Sequence, residues 1–405
     1  MSTVLLVIAN ATGAGGTERM VANLARILCK RHKVAVSSFD KIGSQLALPD
    51  GVTFHPLGRL AEFPLALRWI TYARQAFRLR RLKREIGPTL TISNLWRADL
   101  VSQLAGGRDR KVAVCHINIL GNPANRMLRR MRHLTGYLYR RFDKVVAVSP
   151  PLLDEVRNLY RLRPDKAVCI ENFVSVPAGP AVPPPVGRLR VVWCGRVVPE
   201  KNTLALIDVF CALRERNRRV QLVLIGDGAM RATVELRAIG AGLRLGNLSD
   251  PEAEVVFTGA LTDPFPIMRG ASLLLLPSQS EGLPLVVLEA LAIGLPVAAA
   301  DAAGGGVRSI LAPSSGPSKA GGAQWSPAGV LLPIPSRGTP SSIACWADAI
   351  DLILRQPAML AALQDGARAR AVVFSQATAA PRWLALLEEA VEGESRTVGP
   401  ARCCA

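Results

Sequence analysis

The sequence has no long apolar run and few aromatic residues, and each absence narrows what the protein can be. No uninterrupted stretch of about 18 apolar residues occurs, so we expect no membrane-spanning helix. The first residues, through Ile8, have neither a basic start nor a cleavage site, which favours a first strand over a signal peptide. Only 5% of the residues are aromatic, which leaves few rings for stacking on nucleic acid bases.

Cysteine patterns that would indicate disulfides or zinc are also missing. The chain has 8 cysteines, and only Cys403 and Cys404 are close together. Secreted disulfide-rich domains and zinc sites space their cysteines in regular sets. The number and spacing of the cysteines therefore predict reduced thiols in a cytoplasmic protein.

The positive charge is concentrated in the first half of the chain. Residues 1–187 contain 29 Lys or Arg and 12 Asp or Glu, a net charge of +17, whereas the remainder has 21 and 19, a net charge of +2. Such asymmetry indicates that the first half meets an anionic surface. Composition alone leaves open whether that surface is nucleic acid or anionic lipid.

Short apolar strands alternate with amphipathic helices through both halves of the chain. A length of 405 residues, of which 49% are apolar, suffices for two globular domains. Residues 174–187 separate the halves and contain five prolines, so they cannot build a core. The pattern predicts an α/β fold with two doubly wound Rossmann-like domains that face each other across a cleft.

Residues 278–296 carry the most specific pattern. An apolar run precedes this segment and another follows it, which predicts a strand, a tight loop, a short helix and a strand. Glu281 then lies in the loop beside the free N–H groups of the helix start, which can bind phosphate. Glu289 lies inside the helix among apolar residues, where a carboxylate needs a hydrogen-bonded partner such as the vicinal hydroxyls of a ribose. A core helix with one ion-paired glutamate would give the same pattern.

The motif S-E-G-L-P…E-A…G-L-P-V, with seven residues between Glu281 and Glu289, resembles the signature of retaining GT-B glycosyltransferases of family 4 (glycosyl transferases group 1). The resemblance implies that Glu281 contacts the donor sugar as a catalytic residue. It also implies that the backbone amides of Gly282 and Leu283 approach sugar and diphosphate, and that Glu289 holds the ribose.

Three further segments fit this resemblance. The loop from Gly195 to Asn202 is similar to the family's G-R…P-E-K-N loop, which implies that Arg196 and Lys201 clamp the donor diphosphate where negative charge develops. The G-G-T-E-R segment beginning at Gly15 and Gly16 resembles the family's first loop, which lines the cleft. His116, at the end of a predicted strand, matches a histidine that reaches the donor sugar in the family, although a lone histidine is more often structural.

Residues 126–141 are predicted to form one amphipathic helix. Apolar residues at spacings of four, three and four make one stripe: Met127, Met131, Leu134 and Leu138. A largely basic stripe lies beside it, including Arg126, Arg130 and Arg141. Together with the charge of the first half, this favours contact with an anionic bilayer or a lipid-phosphate acceptor over a merely solvated face.

The resemblance also implies the domain boundaries. We expect a first domain at 1–173 on the acceptor and membrane side and a nucleotide-sugar-binding domain at 188–372. A C-terminal helix at 373–390 should cross back to the first domain, and a disordered tail should follow at 391–405. The low-complexity stretch at 312–328 is expected to be a mobile surface loop.

The resulting prediction is a metal-independent retaining glycosyltransferase without a cofactor. No Asp-x-Asp metal motif occurs in the sequence. The donor is expected to be a UDP-sugar, with GDP-mannose as the second choice. The acceptor is expected to be a glycan or lipid-linked glycan of bacterial surface polysaccharide or lipopolysaccharide biosynthesis, at the inner face of the plasma membrane. A sugar-nucleotide epimerase on the same fold remains an alternative, and a basic nucleic-acid-binding protein a weaker one.

Overall fold

Two separate β-sheets, one in each half of the chain, form the framework of the protein. The computed structural model describes residues 2–11, 15–39, 46–58, 68–121, 125–311 and 322–392. Each sheet is built mainly from parallel strands, and helices connect successive strands in both halves. The predicted fold class, two Rossmann-like α/β domains of the GT-B type, is confirmed.

The first sheet has seven strands in the order β3-β2-β1-β4-β5-β6-β7, all paired in parallel. The carboxyl ends of β1, β4 and β5 therefore lie next to one another at one edge of the sheet, facing the cleft. The elements of this half are, in chain order, β1 (Thr3–Ile8), α1 (Gly16–Leu28), β2 (Lys33–Ser38), β3 (Thr53–Pro56), α2 (Arg68–Ile86), β4 (Leu90–Asn94), α3 (Trp96–Ala105), β5 (Arg110–Cys115), α4 (Arg126–Arg130), α5 (Arg132–Arg140), β6 (Lys144–Ala147), α6 (Pro150–Tyr160) and β7 (Ala167–Cys169).

The second sheet has eight strands in the order β10-β11-β9-β8-β12-β13-β15-β14, of which only β14 is antiparallel. Its switch point lies between β8 and β12, whose carboxyl ends lead into the two motif loops. The elements are β8 (Leu189–Cys194), α7 (Thr203–Arg216), β9 (Val220–Ile225), α8 (Arg231–Gly240), β10 (Leu245–Gly246), β11 (Val255–Gly259), α9 (Phe265–Arg269), β12 (Leu273–Leu276), α10 (Leu285–Ala292), β13 (Val297–Ala300), α11 (Gly306–Leu311), β14 (Gln324–Ser326), β15 (Gly329–Leu332), α12 (Pro340–Arg355), α13 (Pro357–Ala371) and α14 (Gln376–Glu392).

The central strands are continuous apolar runs because helices cover both faces of each sheet. All four leucines of β12 are buried, as expected for a parallel strand at the centre of a sheet. One buried hydrophobic cluster continues across the domain boundary, since it includes Met20 of α1 together with Leu283 and Leu285 of the second half. This shared core holds the two halves in contact.

The last helix, α14, packs on the first domain although it follows the second in sequence. Its Trp383 is fully buried in the hydrophobic cluster that also contains residues of α1. Glu389 pairs with Lys144 at the start of β6, with 2.6 Å between the carboxylate and Nζ. The Arg382 guanidinium lies 3.4 Å from the Glu171 carboxylate.

Three expectations about local structure need correction. Residues 126–141 form two short helices, because Met131 has φ −89° and ψ 17° and interrupts the helical path between α4 and α5. Within the expected loop at 312–328, residues Gln324–Ser326 form β14, which pairs with β15; residues 312–321 lie outside the described part. Helix α14 continues to Glu392, two residues into the expected tail, and the rest of that tail is not among the described residues.

Among the described residues, no helix has both the length and the apolar character that crossing a bilayer would require.

Candidate active site

The loop between β12 and α10 places Glu281 at the carboxyl edge of the second sheet. The Glu281 residue is buried, at 8% exposure. Its N–H donates to the Ala303 carbonyl across 2.9 Å. Gly304, which has φ +100°, packs beneath it, since an added Cβ there would lie 2.4 Å from the Glu281 carbonyl oxygen. The glycine-rich segment after β13 is therefore what allows this loop to close tightly.

Lys201 reaches the same point from the other motif loop. Its Nζ lies 2.7 Å from Glu281 Oε1. Lys201 ends a short 3₁₀ turn, and the next residue, Asn202, adopts a left-handed conformation with φ 56°. The Asn202 amide donates to the carbonyls of Pro277 and Pro335 at 3.2 and 3.0 Å. This asparagine ties the lysine loop to the end of β12, so the two motifs form one site.

The backbone amides of Gly282 and Leu283 are available for a ligand. Neither N–H donates a hydrogen bond to any residue in the described ranges. The Leu283 carbonyl accepts from the Asn172 side chain of the first domain at 2.9 Å. Gly282 lies so close to the first domain that an added Cβ would be 2.1 Å from the His116 carbonyl oxygen. Two buried amides next to the α10 N-terminus form a setting that suits an anionic group.

Glu289 is buried within α10 at 4% exposure. Its Oε1 lies 2.8 Å from a guanidinium nitrogen of Arg19, which belongs to α1 of the first domain. Its Oε2 is buried and has no hydrogen-bond partner among the described residues. Burial raises the pKa of this carboxyl, and the Arg19 charge and hydrogen bond act in the opposite direction. A buried carboxylate oxygen without a partner is costly, so a ligand hydroxyl that donates to it would be favoured.

His116 lies at the end of β5 and is buried. Its Nε2 is 3.0 Å from Asn94 Oδ1. Asn94 Nδ2 donates to the Val7 carbonyl at 3.3 Å, which fixes Oδ1 as the acceptor and therefore Nε2–H as the donor. Burial lowers the pKa of His116 to about 4, so the ring is neutral near pH 7 and carries its proton on Nε2.

The remaining predicted donor residues, Gly15, Gly16 and Arg196, follow the first strand of each domain. The Gly15 N–H donates to the Glu18 carboxylate at 2.9 Å, which caps α1. Gly16 faces the second domain, since an added Cβ would be 3.8 Å from the Leu285 side chain. Residues 12–14 of the same loop lie outside the described part. Arg196 follows β8, and its side chain is exposed.

The three predicted membrane or acceptor residues, Arg126, Arg130 and Arg141, are exposed on or beside α4 and α5. Several apolar side chains on the same helices are exposed as well: Met127 at 43%, Met131 at 39%, Leu134 at 60% and Tyr137 at 56%. The face that packs on the domain consists instead of Leu128, Thr135, Gly136 and Tyr139. Three members of the apolar stripe found in the sequence, Met127, Met131 and Leu134, therefore point outward together with the basic residues, whereas Leu138 is partly buried and packs against the core.

The segment before α4 connects this outer surface to the catalytic loop. An added Cβ at Gly121 would lie 2.5 Å from Ala303, and one at Gly304 would lie 2.9 Å from the Asn118 side chain. The Glu155 carboxylate of α6 holds the segment by accepting from the Asn118 side chain and from the Ile119 N–H. Burial raises the pKa of Glu155.

Sequence reasoning assigned no role to Arg19, Asn94 or Asn172, which hold Glu289, His116 and the Leu283 carbonyl. Arg19 is part of the quoted G-G-T-E-R segment, so its position next to a motif was a usable signal. Asn94 and Asn172 follow predicted strands but have no distinctive spacing. Among the described residues, no three His, Cys, Asp or Glu side chains are close enough to share a metal ion.

Comparisons with known proteins show which enzymes the chain is similar to. The family model "Glycosyltransferase Family 4" matches residues 14–176, and "Glycosyl transferases group 1" matches residues 188–320. The chain is 24% identical over 292 residues to the N-acetylgalactosamine-N,N'-diacetylbacillosaminyl-diphospho-undecaprenol 4-alpha-N-acetylgalactosaminyltransferase of Campylobacter jejuni, covering 69% of this chain and 76% of that protein.

A second relative is the GDP-mannose-dependent alpha-(1-6)-phosphatidylinositol dimannoside mannosyltransferase of Mycobacterium tuberculosis. It is 26% identical over 164 residues, which is 39% of this chain but only 37% of that protein's length. Among solved structures, Anabaena HepE in complex with UDP-glucose aligns over 96% of this chain and 100% of its own, with a TM-score of 0.70 and 20% identity. At that identity the likeness establishes the fold.

The chain has the GT-B fold, and its matches to glycosyltransferase family models and relatives indicate a glycosyltransferase. The two family matches narrow this to a glycosyltransferase of the group 1 type. Neither the epimerase nor the nucleic-acid-binding alternative is favoured by these matches.

Proposed function

We propose that the protein transfers a sugar from a nucleoside-diphosphate donor to a lipid-linked or glycan acceptor, with retention of the anomeric configuration. The observation that carries the proposal is the contact between Lys201 and Glu281, 2.7 Å apart. It brings a cation suited to a diphosphate and a carboxylate suited to sugar hydroxyls to one point of the cleft. The amides of Gly282 and Leu283, which have no partner among the described residues, lie beside them.

Each residue has a chemical role in this proposal. Lys201 and Arg196 neutralise the diphosphate, and the two amides stabilise the charge that develops on it as it leaves. Glu281 accepts hydrogen bonds from the donor sugar, and Glu289 accepts from the ribose hydroxyls through Oε2. The His116 backbone carbonyl lies next to Gly282, so His116, whose ring is neutral, bounds the sugar site from the first domain.

Retention is proposed to follow from attack on the same face of the sugar that the leaving group vacates. The bond between the anomeric carbon and the phosphate oxygen breaks as the acceptor oxygen forms its bond to that carbon. The departing phosphate oxygen takes the acceptor's proton. No side chain is then required as a nucleophile, and neither a metal nor another cofactor is part of the proposed reaction.

The donor is proposed to be a UDP-sugar, with GDP-mannose as the second candidate. The relatives whose names mention diphospho-undecaprenol and phosphatidylinositol dimannoside support a lipid-linked acceptor. We further propose that the protein binds the inner face of the plasma membrane through α4 and α5. Their exposed apolar and basic side chains together suit an anionic bilayer.

The test is a panel of nucleotide sugars. Purified protein is expected to show a thermal shift and slow, saturable hydrolysis with one nucleotide sugar of the panel. NMR of the product formed on an acceptor should show that the transferred sugar keeps the anomeric configuration it had in the donor. Inversion of that configuration would refute the retaining mechanism, and failure to bind or turn over any nucleotide sugar would refute the proposed function.

A further inference from the structure

Arg19 contacts the residue proposed to hold the ribose, although it belongs to the opposite domain. It lies in the first turn of α1, and its guanidinium reaches across the cleft to Glu289 Oε1 at 2.8 Å. The Glu289 side chain is 5% exposed and that of Arg19 is 32% exposed. The ion pair is thus closed to water on the carboxylate side and open to the cleft on the arginine side.

The position of Arg19 is fixed by the way α1 begins. The Glu18 carboxylate accepts from the Gly15 N–H at 2.9 Å, and the Arg19 N–H donates to the Gly15 carbonyl at 3.1 Å. These two bonds fix the first turn of α1, to which Arg19 belongs. Gly16 in the same turn lies opposite Leu285 of α10, because an added Cβ there would be in ordinary van der Waals contact with that side chain at 3.8 Å.

The contact occupies only one of the two carboxylate oxygens. Glu289 Oε2 is buried and lacks a partner among the described residues, as does Arg19 Nε. A carboxylate held at Oε1 keeps Oε2 in a fixed direction, where it can accept from ligand hydroxyls. We propose that Arg19 is a positioning residue of the donor site. From the first domain it orients the Glu289 carboxylate so that Oε2 can accept hydrogen bonds from the ribose hydroxyls. Because Arg19 and Glu289 belong to different domains, the ribose contact is complete only when the two domains are closed. This inference rests on the proposed nucleotide-sugar site.

The charged surroundings of Glu289 determine how the effect depends on pH. Burial raises the pKa of Glu289, and Arg19 lowers it. Among the described residues, the other titratable group facing this position is the Cys194 thiol at the end of β8, which stays neutral because burial raises its pKa to about 12. Lys201, also near Cys194, is paired with Glu281. Without Arg19 the pKa of Glu289 rises further, so the carboxylate is protonated at a higher pH and becomes a poorer acceptor.

The experiment measures the Kd of UDP, and of GDP in parallel, by calorimetry at pH 7.5 and across pH 5 to 8. Arg19→Gln is expected to raise the Kd of whichever nucleotide the wild type binds by about 10-fold, the effect of losing a charge-assisted hydrogen bond. Its loss of affinity on acidification should begin at a higher pH than in the wild type. Arg19→Lys should retain part of the affinity. Arg26→Gln, on the same helix but bonded to Asn23 and the Ala47 carbonyl, is the matched control and should bind as the wild type does.

A double-mutant cycle with Glu289→Gln decides whether Arg19 acts through Glu289. If it does, adding Arg19→Gln to Glu289→Gln should cause no further loss of nucleotide affinity. Losses that add would overturn the inference, because Arg19 would then act on the nucleotide directly. An Arg19→Gln variant that keeps the wild-type Kd and pH profile would also overturn it. Wild-type protein that binds neither nucleotide would overturn the proposed donor site as well, which separates the two failures.

Discussion

Lys201 and Glu281 are 80 residues apart in sequence, yet Lys201 Nζ lies 2.7 Å from Glu281 Oε1. The pair joins the loop after β8 to the loop after β12 at the switch point of the second sheet. Because the lysine is 20% exposed and the carboxylate 9% exposed, the lysine is the partner that a ligand in the cleft can reach. A diphosphate would therefore share or displace this contact.

Lys201→Ala should weaken donor binding and turnover. The substitution removes a charge-assisted hydrogen bond to the diphosphate, worth roughly 1.5–3 kcal/mol, or about 10- to 150-fold in kcat/KM. It also leaves the buried Glu281 carboxylate without its cation. Steady-state kinetics with the identified donor measures the effect, with Lys30→Ala, an exposed lysine of the first domain, as the control. Wild-type kinetics in a well-folded Lys201→Ala protein would exclude the clamp.

Gly282→Ala should impair donor binding by separating the two domains locally. An added Cβ would lie 2.1 Å from the His116 carbonyl oxygen, which is backbone and cannot rotate away. Gly240→Ala is the matched control, since an added Cβ there meets no atom within 4 Å. We expect Gly282→Ala to bind nucleotide at least 10-fold more weakly, whereas Gly240→Ala binds normally. Equal affinity in both variants would show that the close contact does not matter for the site.

His116 should not contribute an ionisation to the pH profile above pH 5.5. Burial lowers its pKa to about 4, below the unperturbed value of about 6.5, so the ring remains neutral throughout pH 5.5–8. The dependence of kcat on pH in this range should have the same shape in the wild type and in His116→Gln, even if the variant is slower. An acidic limb near pH 6.5 that disappears in the variant would contradict this assignment.

The outward face of α4 and α5 should bind anionic vesicles, with an affinity that falls as salt concentration rises. Replacing Arg126, Arg130 and Arg141 together by glutamine should release the protein from the vesicles and leave UDP or GDP binding intact. The control variant replaces Arg218, Arg219 and Arg244, exposed arginines of the second domain, and makes the same change in net charge. Co-sedimentation measures both. Equal binding of the wild type to neutral and anionic vesicles would refute a charge-dependent membrane contact.

The fold was predictable because the spacing of apolar residues and the positions of glycine and proline indicate the same elements throughout the chain. Apolar strands such as β12 are bounded by loops with glycine and proline, and the proline-rich segment at 174–187 separates two such series. The helix break at Met131 was not predictable, since the residues on both sides of it continue a helical pattern. The outward direction of the Met127 and Leu134 side chains depends on which face packs against the domain, and the sequence pattern leaves both faces possible.

The candidate site was predictable where a motif is contiguous and not where it depends on contacts between domains. Glu281 and Glu289 stand out within one strand–loop–helix unit, and the resemblance to the family motif assigned their roles. The Arg19 contact with Glu289 joins residues 270 positions apart in opposite domains, and no local pattern fixes such a pairing. The same holds for Asn172, which donates to Leu283 from the end of the first domain.

The most direct test of the account compares the two glutamates by calorimetry with free UDP or GDP, whichever the wild type binds. If Glu289 holds the ribose, Glu289→Gln should raise the Kd of the nucleotide roughly 10-fold or more. If Glu281 contacts only the donor sugar, Glu281→Gln should bind the nucleotide at least as tightly as the wild type, because the sugar is absent and Lys201 is released from its carboxylate partner. Its defect should instead appear in turnover of the complete donor. Equal weakening of nucleotide binding by the two substitutions would contradict the assignment of sugar and ribose to separate glutamates, and with it the proposed donor site.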